Sequence, residues 1–496
     1  MFESAELGHE VDKKRYQREA PKLREALLDV QEELRTQKSF AVIIVVHGVD
    51  GAGKGETVNL LHSWLDPRHM KTRAFGPPNE QERQQPRVIR YYDALPSKGE
   101  IGILFGSWYA NPLLDRAYRR TKQSELDQSI EAIVRFETML AEEGALLLKF
   151  WLHLAKPAQK ARLKELEKDP DTSWRVTKED WDRFEHYGAF RKVSEHALQH
   201  SSTENAPWIV VEGSDARYRE LTIGKAIEQA IRQRLDEGKH RKTAAQPTRT
   251  AKLVAPKDEI TLINQLDLSL KVDEEAYESQ LARLQGQLNK LSRKARFQHE
   301  HAAVVVFEGN DAAGKGGNIR RIVHALDARR YDVIPTAAPS EEERSYPYLW
   351  RFARHVPTRG RFTLYDRSWY GRVLVERVEN LCSQNDWQRA YSEINDFEQQ
   401  LVEHGIVVVK FWLAVSKDEQ LRRFEERKRT GFKRFKITQE DYRNRKQWDA
   451  YERAALDMFD QTSTDEAPWT LVEANDKHYA RLKVLSTIVR ALEAAL

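Results

Sequence analysis

The sequence predicts an α/β fold built as two successive domains, each a parallel β-sheet flanked by helices. The segment Gly48–Gly55 returns as Gly309–Gly316, and the lysines within these segments, Lys54 and Lys315, are 315 − 54 = 261 residues apart. Short β-branched runs also alternate with longer amphipathic stretches, which is typical of a parallel sheet covered by helices on both faces. In addition, a chain of 496 residues suits two hydrophobic cores better than one.

Further matches at the same offset indicate that the whole architecture is duplicated. The matched segments are Ser107–Tyr109 with Ser368–Tyr370, Lys149–Trp151 with Lys410–Trp412, and Ala206–Trp208 with Ala467–Trp469. We therefore predict a first domain over 1–235 and a second over 258–496. Residues 236–257 between them are polar, contain proline and lack periodicity, so we predict a linker there.

Each predicted domain begins with a charged amphipathic helix, Tyr16–Arg35 in the first and Tyr277–Ala295 in the second. A continuous apolar run follows each helix, as expected for a strand that is buried on both faces. Other apolar runs of similar length predict more strands. The predicted strands are Ala41–Val46, Ala145–Leu154 and Trp208–Val211 in the first domain, and Ala302–Phe307, Ile406–Val415 and Trp469–Val472 in the second.

The composition indicates an ordinary globular protein, with 40% hydrophobic and 32% charged residues. The single cysteine, Cys382, cannot form an internal disulfide, and the first residues lack the pattern of a signal peptide. No apolar run is long enough to span a membrane. We therefore expect a cytoplasmic protein without a membrane partner.

Basic residues are concentrated in the second domain, although the net charge of the chain is only +4. Two groups stand out: arginines at 320, 321, 329, 330, 351, 354, 359, 361, 367, 372 and 377, and basic residues at 422, 423, 427–429, 433, 434 and 436. Such density would suit a polyanionic partner. The alternative is that these residues form solvated helix faces balanced by glutamates, and composition alone leaves both interpretations open.

The two repeated glycine-rich segments predict phosphate-binding loops. Each has the pattern Gly-x-x-x-x-Gly-Lys directly after a buried strand, so that backbone N–H groups and the lysine can surround a phosphate. The Ser or Thr that usually follows the lysine and contacts Mg²⁺ is replaced by Gly55 and Gly316. Carboxylates must then hold the metal, and the candidates are Asp50 and Asp311 inside the loops and Asp366 at the end of an apolar segment.

Several segments of the second domain together resemble the polyphosphate kinase 2 family. They are Gly309–Gly316, Tyr365–Arg372, Lys410–Leu413, Phe435–Tyr442, Trp448–Tyr451 and Ala467–Trp469. The tandem arrangement resembles the two-domain subgroup, whose members phosphorylate AMP to ADP from inorganic polyphosphate. The resemblance implies a P-loop kinase fold with a helical lid, a requirement for Mg²⁺ and a basic tunnel for the phosphate chain. It also implies that the two domains form an internal pseudo-dimer, and further homo-oligomers are possible. Nucleic acid is not an expected partner.

The resemblance also implies roles for individual residues. The expected catalytic residues are Asp311, Lys315, Asp366, Arg367 and Arg372, and the expected metal ligands are Asp311 and Asp366. The expected phosphate-binding residues are Gly309, Gly314, Lys315, Gly316, Arg351, Lys410, Arg423, Arg427, Lys433 and Lys436.

The first domain departs from the family pattern at the positions that phosphate chemistry needs most. It has Phe105 for Asp366, Gly106 for Arg367, Asn111 for Arg372 and Leu166 for Arg427. Losing a metal carboxylate and three cations removes much of the charge stabilisation on which phosphoryl transfer depends. We therefore predict that the second domain is catalytic and that the first is a degenerate copy.

Two other functions are compatible with a phosphate-binding loop. The protein could be an ATP-dependent nucleotide or small-molecule kinase, because the loop alone does not identify the phosphoryl donor. It could also be a non-enzymatic, nucleotide-regulated protein whose basic faces bind a polyanion such as nucleic acid. Activity with polyphosphate, activity with ATP alone, and salt-sensitive binding without turnover distinguish the three.

Overall fold

The computed structural model describes residues 1–241, 261–430 and 439–496. The chain forms two compact units, and neither is one continuous stretch. The first comprises Met1–Pro78, Arg90–Thr250 and Ser340–Trp350, and the second comprises Asn79–Ile89, Ala251–Pro339 and Arg351–Leu496. Each unit therefore includes a short segment from the other sequence repeat.

The sheet of the first repeat has five strands, all parallel, in the order β2-β3-β1-β4-β5. The strands are β1 Val42–Gly48, β2 Met70–Ala74, β3 Ile101–Phe105, β4 Leu146–His153 and β5 Trp208–Glu212. The helices are α1 Lys13–Gln37, α2 Lys54–Trp64, α3 Glu80–Arg83, α4 Ile89–Tyr92, α5 Ala110–Ala117, α6 Gln123–Glu142, α7 Lys156–Lys168, α8 Lys178–Glu185, α9 Tyr187–Ser201 and α10 Ala216–Arg241.

The second repeat has the same arrangement, with the strand order β7-β8-β6-β9-β10 and parallel pairing for each pair of neighbours. The strands are β6 Ala302–Gly309, β7 Tyr331–Pro335, β8 Phe362–Asp366, β9 Ile406–Ala414 and β10 Trp469–Glu473. The helices are α11 Glu274–Ser292, α12 Ala295–Glu300, α13 Lys315–Val323, α14 Glu341–Arg344, α15 Trp350–Ala353, α16 Val375–Val378, α17 Gln384–Glu403, α18 Lys417–Arg429, α19 Gln439–Lys446, α20 Trp448–Thr462 and α21 Lys477–Ala495.

The predicted α/β fold with two parallel sheets is confirmed. All six predicted strands are present, because each is an apolar run, and β1, β4, β6 and β9 are almost entirely buried. Four strands were not predicted. The edge strands β2 and β7 are short and mostly exposed and lack an apolar run. The strands β3 and β8 are buried but have only five residues each, and β8 was noted only as the apolar segment that ends at Asp366. Helix α10 continues to Arg241, and residues 242–260 lie outside the described part, so the predicted linker 236–257 stays a prediction.

The fold places the glycine-rich loops at the carboxyl ends of the central strands. In the second repeat, β6 ends at Gly309 and α13 begins at Lys315, and β8 pairs with β6 so that Asp366 lies opposite Phe307. Gly309 has a φ of +127°, and a Cβ there would lie 2.3 Å from the carbonyl oxygen of Leu413. Only glycine therefore fits this turn. Among the described residues, no helix has the length and apolar character needed to cross a membrane.

Candidate active site

The loop of the second repeat surrounds the ammonium group of Lys315. This group donates hydrogen bonds to the carbonyl oxygens of Gly309 at 2.8 Å and Asn310 at 3.3 Å. Lys315 is also the first residue of α13, and the first N–H groups of a helix have no partner within that helix. The ammonium group and these N–H groups together form an anion-binding site.

Three carboxylates and one guanidinium surround Lys315. Burial lowers the pKa of Lys315 and the positive charge of Arg367 lowers it further, while Asp311, Asp366 and Glu308 act in the opposite direction. A bound phosphate would add negative charge and favour the protonated ammonium. The structure therefore brings together four of the predicted catalytic residues: Asp311, Lys315, Asp366 and Arg367.

Asp311 is held by hydrogen bonds from two neighbouring side chains. Its Oδ1 accepts a hydrogen bond from Arg367 Nη2 at 2.7 Å, and its Oδ2 accepts one from Asn444 Nδ2 at 2.9 Å. Burial would raise the pKa of Asp311, but the charges of Lys315 and Arg367 outweigh it and the pKa is lowered. Asp311 is therefore an ionised carboxylate that fixes the position of Arg367.

Asp366 is the carboxylate that best fits a metal ion. The Asp366 side chain forms no hydrogen bond with any of the described residues. A Cβ at Gly316 would lie 3.9 Å from Asp366 Oδ2, so the glycine after the lysine leaves room beside this carboxylate. No group of three or more potential metal ligands occurs among the described residues. Mg²⁺ is commonly bound by one or two carboxylates together with phosphates and waters, so the residues present fit this ion.

The backbone at Arg367 is unusual. Arg367 has a φ of +62°, a region that residues other than glycine rarely adopt. Its N–H donates to the carbonyl of Phe307 at 3.0 Å, and its own carbonyl accepts from Thr336 Oγ1 at 2.8 Å. These bonds hold the strained turn that directs the guanidinium toward Asp311.

Three other residues at the site were not found from the sequence. The buried Glu308 accepts a hydrogen bond from Ser368 Oγ at 2.9 Å, and burial raises its pKa. Gln420 donates to the carbonyl of Asp311 at 3.1 Å. Asn444, described above, lies between two of the segments that carry the family resemblance. This position is the feature of the sequence that could have identified it as a site residue.

The remaining predicted phosphate-binding residues lie in different surroundings. Arg372 forms an ion pair with Glu376 at 2.8 Å, and Arg351 donates to the carbonyl of Ala337 at 3.0 Å. Arg427 lies half-buried in the last turn of α18. Lys433 and Lys436 lie outside the described residues. The phosphate contacts of these five residues stay predictions.

The surroundings of Lys410, a predicted phosphate-binding residue, argue for a structural role. Lys410 is 0% exposed, and its ammonium group donates to Glu398 Oε2 at 2.7 Å, Tyr370 Oη at 2.9 Å and the carbonyl of Thr462 at 2.7 Å. An ammonium group has three N–H bonds, so none is left for a phosphate. The same cluster occurs in the first repeat around Lys149, which indicates a structural role.

Arg423, another predicted phosphate-binding residue, is also engaged within the protein. Its buried guanidinium donates to Glu419 and to the backbone carbonyls of Ala312 and Ala313 in the loop. It also donates to the carbonyls of Ala474 and Asn475, at 2.6 and 2.9 Å. Arg423 therefore supports the loop from the protein side and does not face the phosphate.

The first repeat supports its loop with arginines from other elements. Arg162, the counterpart of Arg423, instead pairs with Glu56 and Glu165 and is about one-third exposed. Its place is taken by Arg219 of α10, which donates to the loop carbonyl of Ala52 at 3.4 Å. Gly53 allows this approach, since a Cβ there would lie 2.2 Å from the Arg219 guanidinium.

A second replacement occurs at the loop aspartate. Gly106 removes the arginine that corresponds to Arg367, but Arg183 of α8 lies with its Nη1 3.5 Å from Asp50 Oδ2. The ammonium group of Lys54 donates to Asp50 Oδ1 at 2.8 Å. These two cations outweigh the effect of burial and lower the pKa of Asp50. The first loop therefore keeps an ionised aspartate but lacks a counterpart of the Asp366 carboxylate.

A comparison with protein-family models matches residues 10–239 and 271–496 to the family described as polyphosphate kinase 2. The chain belongs to the polyphosphate kinase 2 family. The family match covers both repeats, which confirms the predicted resemblance and its tandem form.

Relatives of similar length support this membership of the polyphosphate kinase 2 family. The chain is 53% identical over 495 residues to a polyphosphate:AMP phosphotransferase of Pseudomonas aeruginosa, covering 100% of this chain and 99% of the relative. It is 38% identical over 459 residues to a protein of the same name from Acinetobacter johnsonii, covering 92% and 91%. A crystal structure of a polyphosphate kinase 2 from Pseudomonas aeruginosa superposes with a TM-score of 0.89 at 50% identity, covering 100% of this chain and 99% of that one.

Proposed function

We propose that this protein transfers the terminal phosphoryl group of inorganic polyphosphate to AMP, giving ADP, and that the second repeat carries out the reaction with Mg²⁺. The two relatives named polyphosphate:AMP phosphotransferase support these substrates. The grouping of Asp366 and Arg367 beside Lys315 supports the choice of the second repeat. The first repeat has Phe105 and Gly106 at the two corresponding positions.

The reaction is an exchange of one phosphoanhydride bond for another. An oxygen of the AMP phosphate forms a bond to the terminal phosphorus while the anhydride P–O bond breaks, and the shortened chain leaves with the bonding electrons. A phosphate monoester is largely ionised at neutral pH, since its second pKa is about 6. No strong general base is therefore required, and catalysis consists of positioning and charge neutralisation.

The residues around Lys315 can provide both. Lys315 and the N–H groups at the start of α13 hold the transferring phosphates, since they form the anion site. Arg367 stabilises charge on the moving phosphoryl group, and Asp311 positions Arg367 through the hydrogen bond at 2.7 Å. Arg351, Arg372 and Arg427 neutralise phosphates further along the chain.

Mg²⁺ would be held by Asp366, which has space beside it and no competing hydrogen bond among the described residues. When bound, this ion would supply positive charge that offsets the negative charge of the phosphates. Because Asp311 is already engaged by Arg367 and Asn444, we assign it to the metal only through water.

The decisive experiment supplies the full-length protein with polyphosphate of defined lengths, Mg²⁺ and one acceptor at a time, and separates the products by chromatography. We expect ADP from AMP, with long chains as better donors and weaker polyphosphate binding at high salt. GMP and ADP serve as comparison acceptors. Turnover with ATP and not with polyphosphate would support the rival kinase, and polyanion binding without turnover would support the non-enzymatic rival. The cytoplasmic location and the internal pseudo-dimer stay predictions.

A further inference from the structure

The loop of the first repeat opens into a cavity that is much larger than the one beside the second loop. Its volume is about 470 Å³, against about 70 Å³ for the second. Small-molecule binding sites in proteins commonly have volumes of about 300–1,000 Å³. A degenerate copy would be expected to close over its lost site, so this cavity needs an explanation.

The walls of this cavity carry apolar or uncharged side chains where the second repeat has polar or charged ones. The replacements are Thr336 by Phe75, Asp366 by Phe105, Arg372 by Asn111 and Glu379 by Tyr118. A chain of phosphates would lose its water here and find few cations in return, at a high cost in free energy. The cavity therefore does not suit polyphosphate, and it suits a flat apolar or aromatic group instead.

One end of the cavity keeps positive charge. Lys54 and Arg183 line it together with Asp50, so the three side chains carry one net positive charge. The N-terminus of the eleven-residue helix α2 lies at the same end and adds N–H groups that lack partners within the helix. This end suits one anionic group.

Two residues that line the cavity each carry a buried polar atom without a hydrogen-bond partner among the described residues. They are His47 Nε2 and Gln159 Oε1, from side chains that are 93% and 98% buried. Nδ1 of His47 accepts a hydrogen bond from the N–H of Gly48 at 2.9 Å, and burial lowers the pKa of His47 to about 3. The ring is therefore neutral with its proton on Nε2, which leaves a donor and an acceptor unpaired.

The second repeat shows what the glutamine position looks like when its acceptor is paired. Gln420, the counterpart of Gln159, accepts a hydrogen bond from Arg445 at 3.2 Å. In the first repeat Phe184 replaces that arginine. Leaving a buried polar group unpaired costs about 1–3 kcal/mol, so such groups are normally paired with protein, water or ligand.

We propose that this cavity binds a small molecule with a flat apolar or aromatic body and a single anionic group, without a metal ion. Lys54 and the start of α2 hold the anionic group, Phe75 and Phe105 contact the body, and His47 and Gln159 pair with polar atoms on its edge. Metal is excluded from this assignment because Phe105 replaces the carboxylate of Asp366. Nucleoside monophosphates belong to this class, and the proposal does not depend on the activity assigned to the second repeat.

The test is calorimetric titration of the full-length protein with AMP in the presence of EDTA and without polyphosphate. Leu114 lines the cavity, and Leu114→Trp fills it. We expect the wild-type protein to bind one more AMP per chain than Leu114→Trp does. The matched control is Val375→Trp at the corresponding position beside the second loop, which should keep this extra site. Equal stoichiometry for the wild-type protein and Leu114→Trp would overturn the proposal.

A milder variant keeps the test decisive if Leu114→Trp does not fold. Gln159→Leu removes the unpaired acceptor at similar volume and should weaken AMP binding at this site about tenfold. Gln420→Leu, its counterpart in the second repeat, should leave the affinity of this site unchanged. Adenosine and inorganic phosphate are titrated as fragments of the ligand. Unaltered affinity in Gln159→Leu, or either fragment binding as tightly as AMP, would contradict the proposed class of ligand.

Discussion

Replacing Lys410 with methionine tests whether this residue supports the fold or binds phosphate. The substitution keeps most of the side-chain volume but removes the charge that pairs with Glu398, which is 2% exposed. Breaking a buried ion pair from one side leaves an uncompensated charge and costs about 3–5 kcal/mol. The carbonyl of Thr462 loses its donor as well. We therefore expect Lys410→Met to lower the free energy of unfolding by about this amount.

The double variant Lys410→Met/Glu398→Gln separates the charge effect from the loss of packing. The introduced glutamine side chain would be neutral and still able to accept the hydrogen bonds that Trp369 Nε1 and Tyr370 Oη now donate to Glu398 at 2.9 and 2.7 Å. We expect the double variant to recover at least about 1 kcal/mol relative to the single variant. Urea unfolding followed by tryptophan fluorescence measures both changes. Because the chain has two units, the transitions are analysed separately rather than as one two-state step.

The first repeat provides a matched control, since Lys149 pairs with Glu137 at 2.7 Å and is also 0% exposed. Lys149→Met should cost a similar free energy in the other unit. Below the unfolding temperature, both variants should keep kcat within a few-fold of the wild-type value. A loss of a hundredfold or more in Lys410→Met alone, in protein shown to be folded, would restore the phosphate-binding role and refute the structural interpretation.

Three further results are expected. Asp366→Asn and Lys315→Ala should each lower turnover by at least about a hundredfold with little change in stability, because each removes charge stabilisation in the transition state. Asp327→Asn, at a partly exposed position outside the site, is the control. Near-normal turnover in either site variant contradicts the assignment. Arg423→Met should cost about 2–4 kcal/mol of stability because five hydrogen bonds to buried groups are lost. Its counterpart Arg162→Met should cost under about 1 kcal/mol. Equal costs in urea unfolding would show that Arg423 does not stabilise the loop. The lowered pKa of Asp311 stabilises the fold above the ordinary carboxyl pKa, and this contribution disappears as the pH falls through the lowered value. Urea midpoints between pH 5 and pH 3 should therefore fall less steeply in Asp311→Asn than in the wild-type protein. Parallel pH profiles for the two proteins would contradict this.

The sequence predicted the sheets because their central strands are continuous apolar runs, and it predicted the loops because glycine is required at fixed positions. Gly309 illustrates the second point, since its φ of +127° and its approach to Leu413 exclude any side chain. The edge strand β7 carries neither signal, because its residues are mostly half-buried or exposed. Long apolar runs therefore identify the central strands and miss short strands that lack such a run, as β7 does.

The assignment of basic residues was less successful, because sequence does not show the direction of a side chain. Lys410 and Arg423 belong to segments that resemble a phosphate-binding family, yet both are buried and fully engaged within the protein. Asp311 was predicted as a metal ligand, but Arg367 and Asn444 occupy both of its oxygens. Burial and the geometry of hydrogen bonds decide between supporting a loop and contacting a phosphate, and both depend on contacts far apart in the chain.

The stability of the fold explains the relocated arginines of the first repeat, but it does not explain the cavity beside the first loop. An ionised aspartate in a half-buried loop requires a cation, and Arg183 supplies one where Gly106 has removed another. Loop carbonyls that face the interior require donors, and Arg219 supplies them in place of Arg162. Both relocations follow from the stability of the loop and therefore say nothing about activity. The unpaired His47 and the apolar cavity beside it have no such explanation, since an unpaired buried donor destabilises the fold, and a ligand is the partner that would remove this cost.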